Sequence, residues 1–155
     1  MSEFDSLANL LPQAHPMILL SGYKNPSSPD EVETWVDISP DSPFYLSEKS
    51  GVPGCVVLEY MAQSMALCVG FLRRSRNLSP KLGFVLGSRK LEIKIPYFKN
   101  GERYRITAKC TYQDESFGSF DCKVYSSDGE EVAAAQMTAF QPEGDVTKES
   151  LEAFS

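Results

Sequence analysis

The chain has 155 residues, long enough for one domain with a sizeable core, and its 42% hydrophobic and 11% aromatic content is ordinary for a globular protein. A net charge of −6 and a pI near 4.8 argue against non-specific nucleic-acid binding, which needs a basic patch. Cys55, Cys68, Cys110 and Cys122 form no Cys-x-x-Cys pair and there is a single His, so a Cys/His zinc site is not expected and mostly buried, reduced thiols are.

The start, Met-Ser-Glu-Phe-Asp, is acidic and has no apolar run, so no secretory signal is read and a cytoplasmic protein is expected. Leu10 to Pro16 contains two prolines that limit regular structure. Met17-Ile18-Leu19-Leu20 reads as a short buried strand closing at Ser21-Gly22, with pairing open to resume at Tyr23. Pro26 to Asp30 is a turn cluster. Val32, Thr34, Val36 and Ile38 alternate with polar residues and Trp35, the period of a half-buried strand. Ser39 to Pro43 breaks it, and Phe44-Tyr45-Leu46 leads through a polar run into the next element.

Val52 to Leu72 is the stretch around which the rest is arranged. It opens on Pro53-Gly54, a sound helix entry, and its apolar residues run all the way round, the pattern of a helix buried on every side. It is short for a membrane span and polar in its middle, so no membrane role is assigned. Glu59 and Gln63 interrupt the apolar surface four residues apart, one turn from each other on one face. A carboxyl there must be paired or protonated. It is either a buried Glu satisfied by its neighbours or an active-site acid. Arg73, Arg74 and Arg76 follow, either a solvated helix end favoured by the dipole or a docking patch for an acidic carrier protein.

The remainder reads as strands. Leu82 to Ile95 is one long run bent at Gly83 and Gly87; Pro96 to Gly101 is a turn ending in Asn-Gly. Arg103 to Gln113 places Tyr104, Ile106, Ala108, Cys110 and Tyr112 on one face. Ser116 to Tyr125 follows with a bulge expected at Gly118, then the Ser127-Asp128-Gly129 hairpin and a last strand from Glu131 to Phe140. The domain is expected over 1–142, with 143–155 a flexible tail. Two strands, a helix and four strands make an α+β layer, one helix wrapped by an antiparallel sheet of about six strands. Such a sheet cannot cover a helix on all sides, so a partner subunit, in a dimer with an extended sheet, is expected.

Leu11-Pro12-x-x-x-Pro16-Met17-x-Leu19-Leu20 and Pro53-Gly54-x-x-x-Leu58-Glu59-x-Met61-Ala62-Gln63 resemble the hot-dog-fold 3-hydroxyacyl-acyl-carrier-protein dehydratases. Leu82 to Arg89 and Phe117 to Cys122 are similar to the aryl-polyene branch of that family. The resemblance implies a hot-dog fold and removal of water from a 3-hydroxyacyl thioester carried on acyl-carrier protein. It implies no metal or organic cofactor, and a homodimer or a heterodimer with a related hot-dog subunit. In the family a His takes the C2 proton and a helix Glu protonates the C3 hydroxyl, usually from opposite subunits. Glu59 matches that Glu. Gly54 and Cys55 match the helix start, whose N–H groups polarise the thioester carbonyl; Gln63 and Arg89 are further substrate-binding candidates. The His departs from the pattern. The family's two His positions are occupied by the Tyr45 to Gly51 stretch and by Gln13, and the sole His is His15, two residues on and about 6–7 Å away along an extended chain. Three readings stay open: a dehydratase using His15 and Glu59, a non-catalytic acyl-binding subunit, and a hot-dog thioesterase.

Overall fold

A computed structural model of the chain describes residues 18–75, 84–114 and 116–140. His15, Gln13, Arg76 and the tail over 143–155 lie outside the described residues. Eight strands and one long helix are present among them: β1 (Gly22–Ser28), β2 (Glu31–Asp37), β3 (Gly51–Pro53), α1 (Val57–Ser75), β4 (Phe84–Ile93), β5 (Tyr97–Lys99), β6 (Arg103–Gln113), β7 (Phe117–Tyr125) and β8 (Glu131–Phe140). Six form one antiparallel sheet in the order β1-β2-β6-β7-β8-β4, and β3 pairs with β5 beside it.

Alternation in β2 and β6 decides which face holds the helix. Val32, Thr34 and Val36 of β2 are buried, as are Tyr104, Ile106 and Ala108 of β6, and they stand opposite one another in register. Gly118, Phe120, Cys122 and Val124 continue that inner face on β7. α1 lies across it: none of Val57 to Phe71 is exposed. The half-buried positions Leu58, Ala62, Ala66 and Val69 form a stripe at helical spacing, while Tyr60, Met61, Gln63, Ser64, Leu67 and Cys68 are buried. The expectation that this stretch is short for a membrane span is corrected: Gly54–Phe71 is long and apolar enough to cross one by length and composition, yet most of its apolar surface packs into the core of this sheet.

The departures from the sequence reading have local causes. Ile18, Leu19 and Leu20 are buried but form no strand, because the Leu19 N–H is given to a side chain rather than to a ladder; pairing starts at Ser21, whose N–H meets Trp35 O at 2.8 Å. Pro26 does not end β1. It falls in an irregularity between Lys24 and Ser28 on an edge strand, where a missing donor costs no ladder bond, and the turn is confined to Pro29–Asp30. The helix begins later than expected. Pro53 closes β3, Gly54–Val56 is a 3-10 turn, and α1 proper starts at Val57.

The long run after the helix is β4, ending at Ile93, and it is irregular at Gly87 as expected and again between Arg89 and Glu92. Pro96 to Gly101 is not all turn. Tyr97–Lys99 forms β5 against β3, and only the Lys99–Glu102 turn, with Gly101 at φ 83°, reverses the chain. The bulge expected at Gly118 is on the other strand: Cys110 pairs with Phe120 but Tyr112 with Ser119, so β6 carries the extra residue. That insertion turns Tyr112 to the outer face, where it is exposed, instead of leaving it with Tyr104 and Ile106.

Candidate active site

Two polar pairs interrupt the apolar helix. Tyr60, Gln63 and Ser64 fall toward the covered side of α1, so whatever polar atoms they carry must find partners inside the protein. Ser64 is wholly buried. Its hydroxyl donates to the Tyr60 carbonyl at 2.9 Å, one turn back, and lies 2.8 Å from the equally buried Thr34 hydroxyl of β2. A hydroxyl has one proton, so with Ser64 donating to Tyr60 O, Thr34 donates to Ser64 Oγ.

Gln63 makes the second pair. Its Oε1 accepts from the Leu19 N–H at 2.8 Å, and its Nε2 donates to Glu59 Oε1 at 3.1 Å. Gln63 is 0% exposed, while Glu59 is only half-buried. The carboxyl therefore stands at the border of the core, held from the inside and reachable from the outside. Of the two readings of a Glu in this helix, pairing with Gln63 is observed, and it leaves the acid accessible.

The start of the helix lies one turn before Glu59. A Cβ built on Gly54 would stand 2.5 Å from Ile95 O and 3.0 Å from Ile93 Cγ2, so only glycine fits where the helix start meets the end of β4. The resemblance implied that the Gly54 N–H is free to polarise a thioester carbonyl; instead it donates to Pro96 O at 2.8 Å. Cys55 is the exposed residue of this first turn, against the expectation of buried thiols, whereas Cys68 and Cys122 are buried and burial pushes both thiols up to about 12. Arg89 is exposed on β4, four residues before Ile93. The structure thus places Gly54 and Cys55 in the 3-10 turn that leads into α1 and Glu59 and Gln63 in the first two turns of α1, with Arg89 on the strand that ends against Gly54; His15 lies outside the described residues. Among the described residues no group of three or more His, Cys, Asp or Glu side chains is placed to hold a metal ion.

Two participants were not anticipated. One is the Leu19 amide, a backbone group with no signature in sequence. The other is Thr34, which reads as a strand residue and sits at an inward position with a hydroxyl to satisfy. The outer face of the same sheet is different in kind. Lys24, Asn25, Glu31, Glu33, Arg105 and Thr107 line a charged concavity there, and Arg105 is already paired with Glu33 at 2.8 Å.

The model of the ApeP-like family, described as ApeP dehydratase, matches residues 5–152. A chain of the dehydratase heterocomplex ApeI:P from Xenorhabdus doucetiae superimposes with a TM-score of 0.84 at 30% identity, over 96% of this chain and 95% of that one. Two more distant structures share the fold. A hypothetical thioesterase from Streptococcus pneumoniae TIGR4, solved with coenzyme A, has TM-score 0.62 at 16% identity over 83% of this chain and 91% of that one. Zebrafish thioesterase superfamily member 2 has TM-score 0.65 at 13% identity over 90% and 93%. The hot-dog architecture expected from the sequence is the one observed.

Proposed function

The chain belongs to the ApeP-like dehydratase family, and from that premise we propose that it removes water from a 3-hydroxyacyl thioester carried on acyl-carrier protein, in a cytoplasmic pathway of the aryl-polyene or fatty-acid type. The observation that carries this reading is the Glu59 carboxyl: half-buried, oriented by a buried amide, and set one turn from the open start of an apolar helix.

The chemistry follows from that placement. His15 takes the C2 proton, electrons move to form the C2–C3 double bond, and the C3–O bond breaks as Glu59 gives its proton to the departing hydroxyl. Water leaves, and the imidazolium and carboxylate then exchange the proton through solvent to restore the starting state. The elimination is redox-neutral and balances between these two groups, so the proposal needs no metal or organic cofactor. Negative charge that builds on the thioester oxygen is met at the helix start, where the amide of Cys55 takes the role that the Pro96 bond denies to Gly54. Arg89 is proposed to approach the carrier-bound arm from β4. Arg73 and Arg74 in the last turn of α1, with Arg76 after it, supply cations for an acidic carrier.

A second subunit is part of the proposal. β4 is an edge of the six-stranded sheet, and Val85, Leu91 and Ile93 on it are 46%, 38% and 36% exposed. An open apolar edge of this kind invites a strand from another chain. The half-buried stripe of Leu58, Ala62, Ala66 and Val69 adds apolar surface on the helix itself. A related hot-dog subunit or a second copy of this chain covers both. Gln13 stands where the aryl-polyene branch has its His, which favours one alternative: the chain binds the acyl group while a partner supplies the base.

Mass spectrometry of a 3-hydroxyacyl-carrier-protein after incubation tests this, with the chain alone and with a related hot-dog subunit. Loss of one water that disappears in His15→Ala supports the self-sufficient dehydratase. Loss only with the partner, unaffected by His15→Ala, supports the binding subunit. No loss under either condition contradicts the proposal.

A further inference from the structure

We propose that Phe44 is a preorganised anchor for the second subunit: its ring, held outward by a strained turn before β3, seats in an apolar recess with a basic rim on a related hot-dog subunit. The inference rests on the reading that this chain works with such a subunit, and adds to it the residue and the chemistry of one contact.

The turn is built against the residue it carries. The Tyr45 N–H donates to Ser42 O at 3.1 Å, which closes a four-residue turn over Pro43 and Phe44. Pro43 keeps a negative φ at the second position and Phe44 at the third has φ 67°, so the turn is type II. That third position favours glycine or asparagine, because a Cβ crowds the backbone there, most of all under a bulky side chain. The backbone is tied down on both sides. Ser42 Oγ accepts from the Ser39 N–H at 2.9 Å and Ser39 Oγ from the Asp41 N–H at 3.2 Å, and after the turn the Leu46 N–H donates to Gly51 O at 2.9 Å. Yet the Phe44 ring is 57% exposed and stands outside the hydrophobic core. Strain is thus held in the turn with no core packing to offset it, the mark of a contact made beyond the chain.

Charge and shape select the occupant. A small ligand lies in a concavity, whereas this ring projects from the corner of a turn. An acidic carrier would meet Asp41 and Glu48, exposed on either side, while Lys49 leans over the Tyr97 ring at 5.9 Å. A second copy brings the same two acids and the same net charge of −6. A related subunit can bring the opposite charge. The place in the fold agrees: Leu46 bridges to Gly51, β3 runs from there toward Gly54, and Gly54 packs on Ile93, one of the exposed apolar residues of the β4 edge. An aromatic ring on a backbone already fixed loses little freedom on docking, and such anchors dominate interface energies.

Phe44→Gly separates an anchor from a merely structural ring, because it removes the ring and relieves the turn together. The readouts are binding of the full chain to the related hot-dog subunit of the dehydration assay, and the melting temperature of the chain alone. Kd is expected to rise about 10- to 100-fold, while the melting temperature rises by about 2 °C. Phe44→Ala is expected to weaken binding equally without that gain, since Ala keeps the disfavoured φ. Asp41→Lys combined with Glu48→Lys is expected to slow association about tenfold at low salt. An unchanged Kd in Phe44→Gly overturns the anchor, and a lower melting temperature does so too, since it marks the ring as packing within its own chain. Association unchanged or faster in the charge-reversed chain overturns the basic rim. Loss of self-association, or a raised KM for the carrier-bound substrate, in Phe44→Gly with binding to the related subunit intact gives the ring to a second copy or to the carrier and overturns the choice of partner. A wild-type chain that binds no related subunit defeats the second-subunit reading and the anchor with it, a result distinct from assembly with an unchanged Kd.

Discussion

The two polar pairs on α1 occupy neighbouring positions and have opposite designs. The Ser64 pair is closed: both hydroxyls are fully buried and the chain of donors ends on the Tyr60 carbonyl. Nothing in it can reach a ligand, so its work is to let a polar residue of β2 face the helix without an unsatisfied group. The Gln63 pair is open: it starts on a buried backbone amide and ends on a carboxyl at the border of the core. Burial of a polar residue in this helix therefore does not identify a site. The proposed site rests instead on a buried polar chain that terminates at a half-exposed acid.

That contrast can be broken from either side. The largest effect is expected from Glu59→Gln, which keeps an acceptor for Gln63 Nε2 and removes the acid; dehydration should fall by about 100- to 10,000-fold with the melting temperature little changed. Gly54→Ala attacks the frame that presents the open pair. Its methyl would meet Ile95 O at 2.5 Å, a backbone atom that cannot step aside, so a loss of about 3 kcal/mol by denaturant titration is expected, with activity falling alongside stability. Thr34→Val breaks the closed pair alone. Ser64 keeps its bond to Tyr60 O, and the expected cost is about 1 kcal/mol with kcat unchanged.

At neutral pH the smallest effect concerns Cys68, one turn past Ser64 on the closed side. Its thiol ionises at about 9 when unfolded and is pushed up to about 12 in the fold by burial first, with Cys110, Asp30 and Glu31 adding to it. A group whose folded value is raised stabilises fully below the lower value, and that contribution is lost as pH climbs to the higher one. Chemical denaturation at stepped pH should show stability falling between about 9 and about 12, and Cys68→Ala should make that fall shallower; Cys122, Tyr60, Tyr104 and Cys110, all raised first by burial, supply the rest.

Much of this was legible in the chain because periodicity reports burial. The alternation of Glu31 to Asp37 and Arg103 to Cys110 placed both strands and their inner faces, and Glu59 and Gln63 stood out as the polar interruptions of an apolar helix. What sequence could not carry were features set by contacts with no local pattern. The bulge at Thr111 reverses Tyr112 by one residue, β5 hides in an apparent turn because its partner β3 is over forty residues away, and the Pro96 carbonyl claims the Gly54 amide. The same holds for Leu19, which looks like a strand residue until Gln63 is seen to take its N–H.

The most direct test of the central claim sets the two pairs against each other in a single measurement set: kcat for dehydration of a 3-hydroxyacyl-carrier-protein and melting temperature, for Glu59→Gln and Thr34→Val in the same assembly. The account predicts a crossed result, with Glu59→Gln losing turnover at near wild-type stability and Thr34→Val losing stability at near wild-type turnover. Retained turnover in Glu59→Gln, or a loss of kcat in folded Thr34→Val as large as in Glu59→Gln, would contradict it.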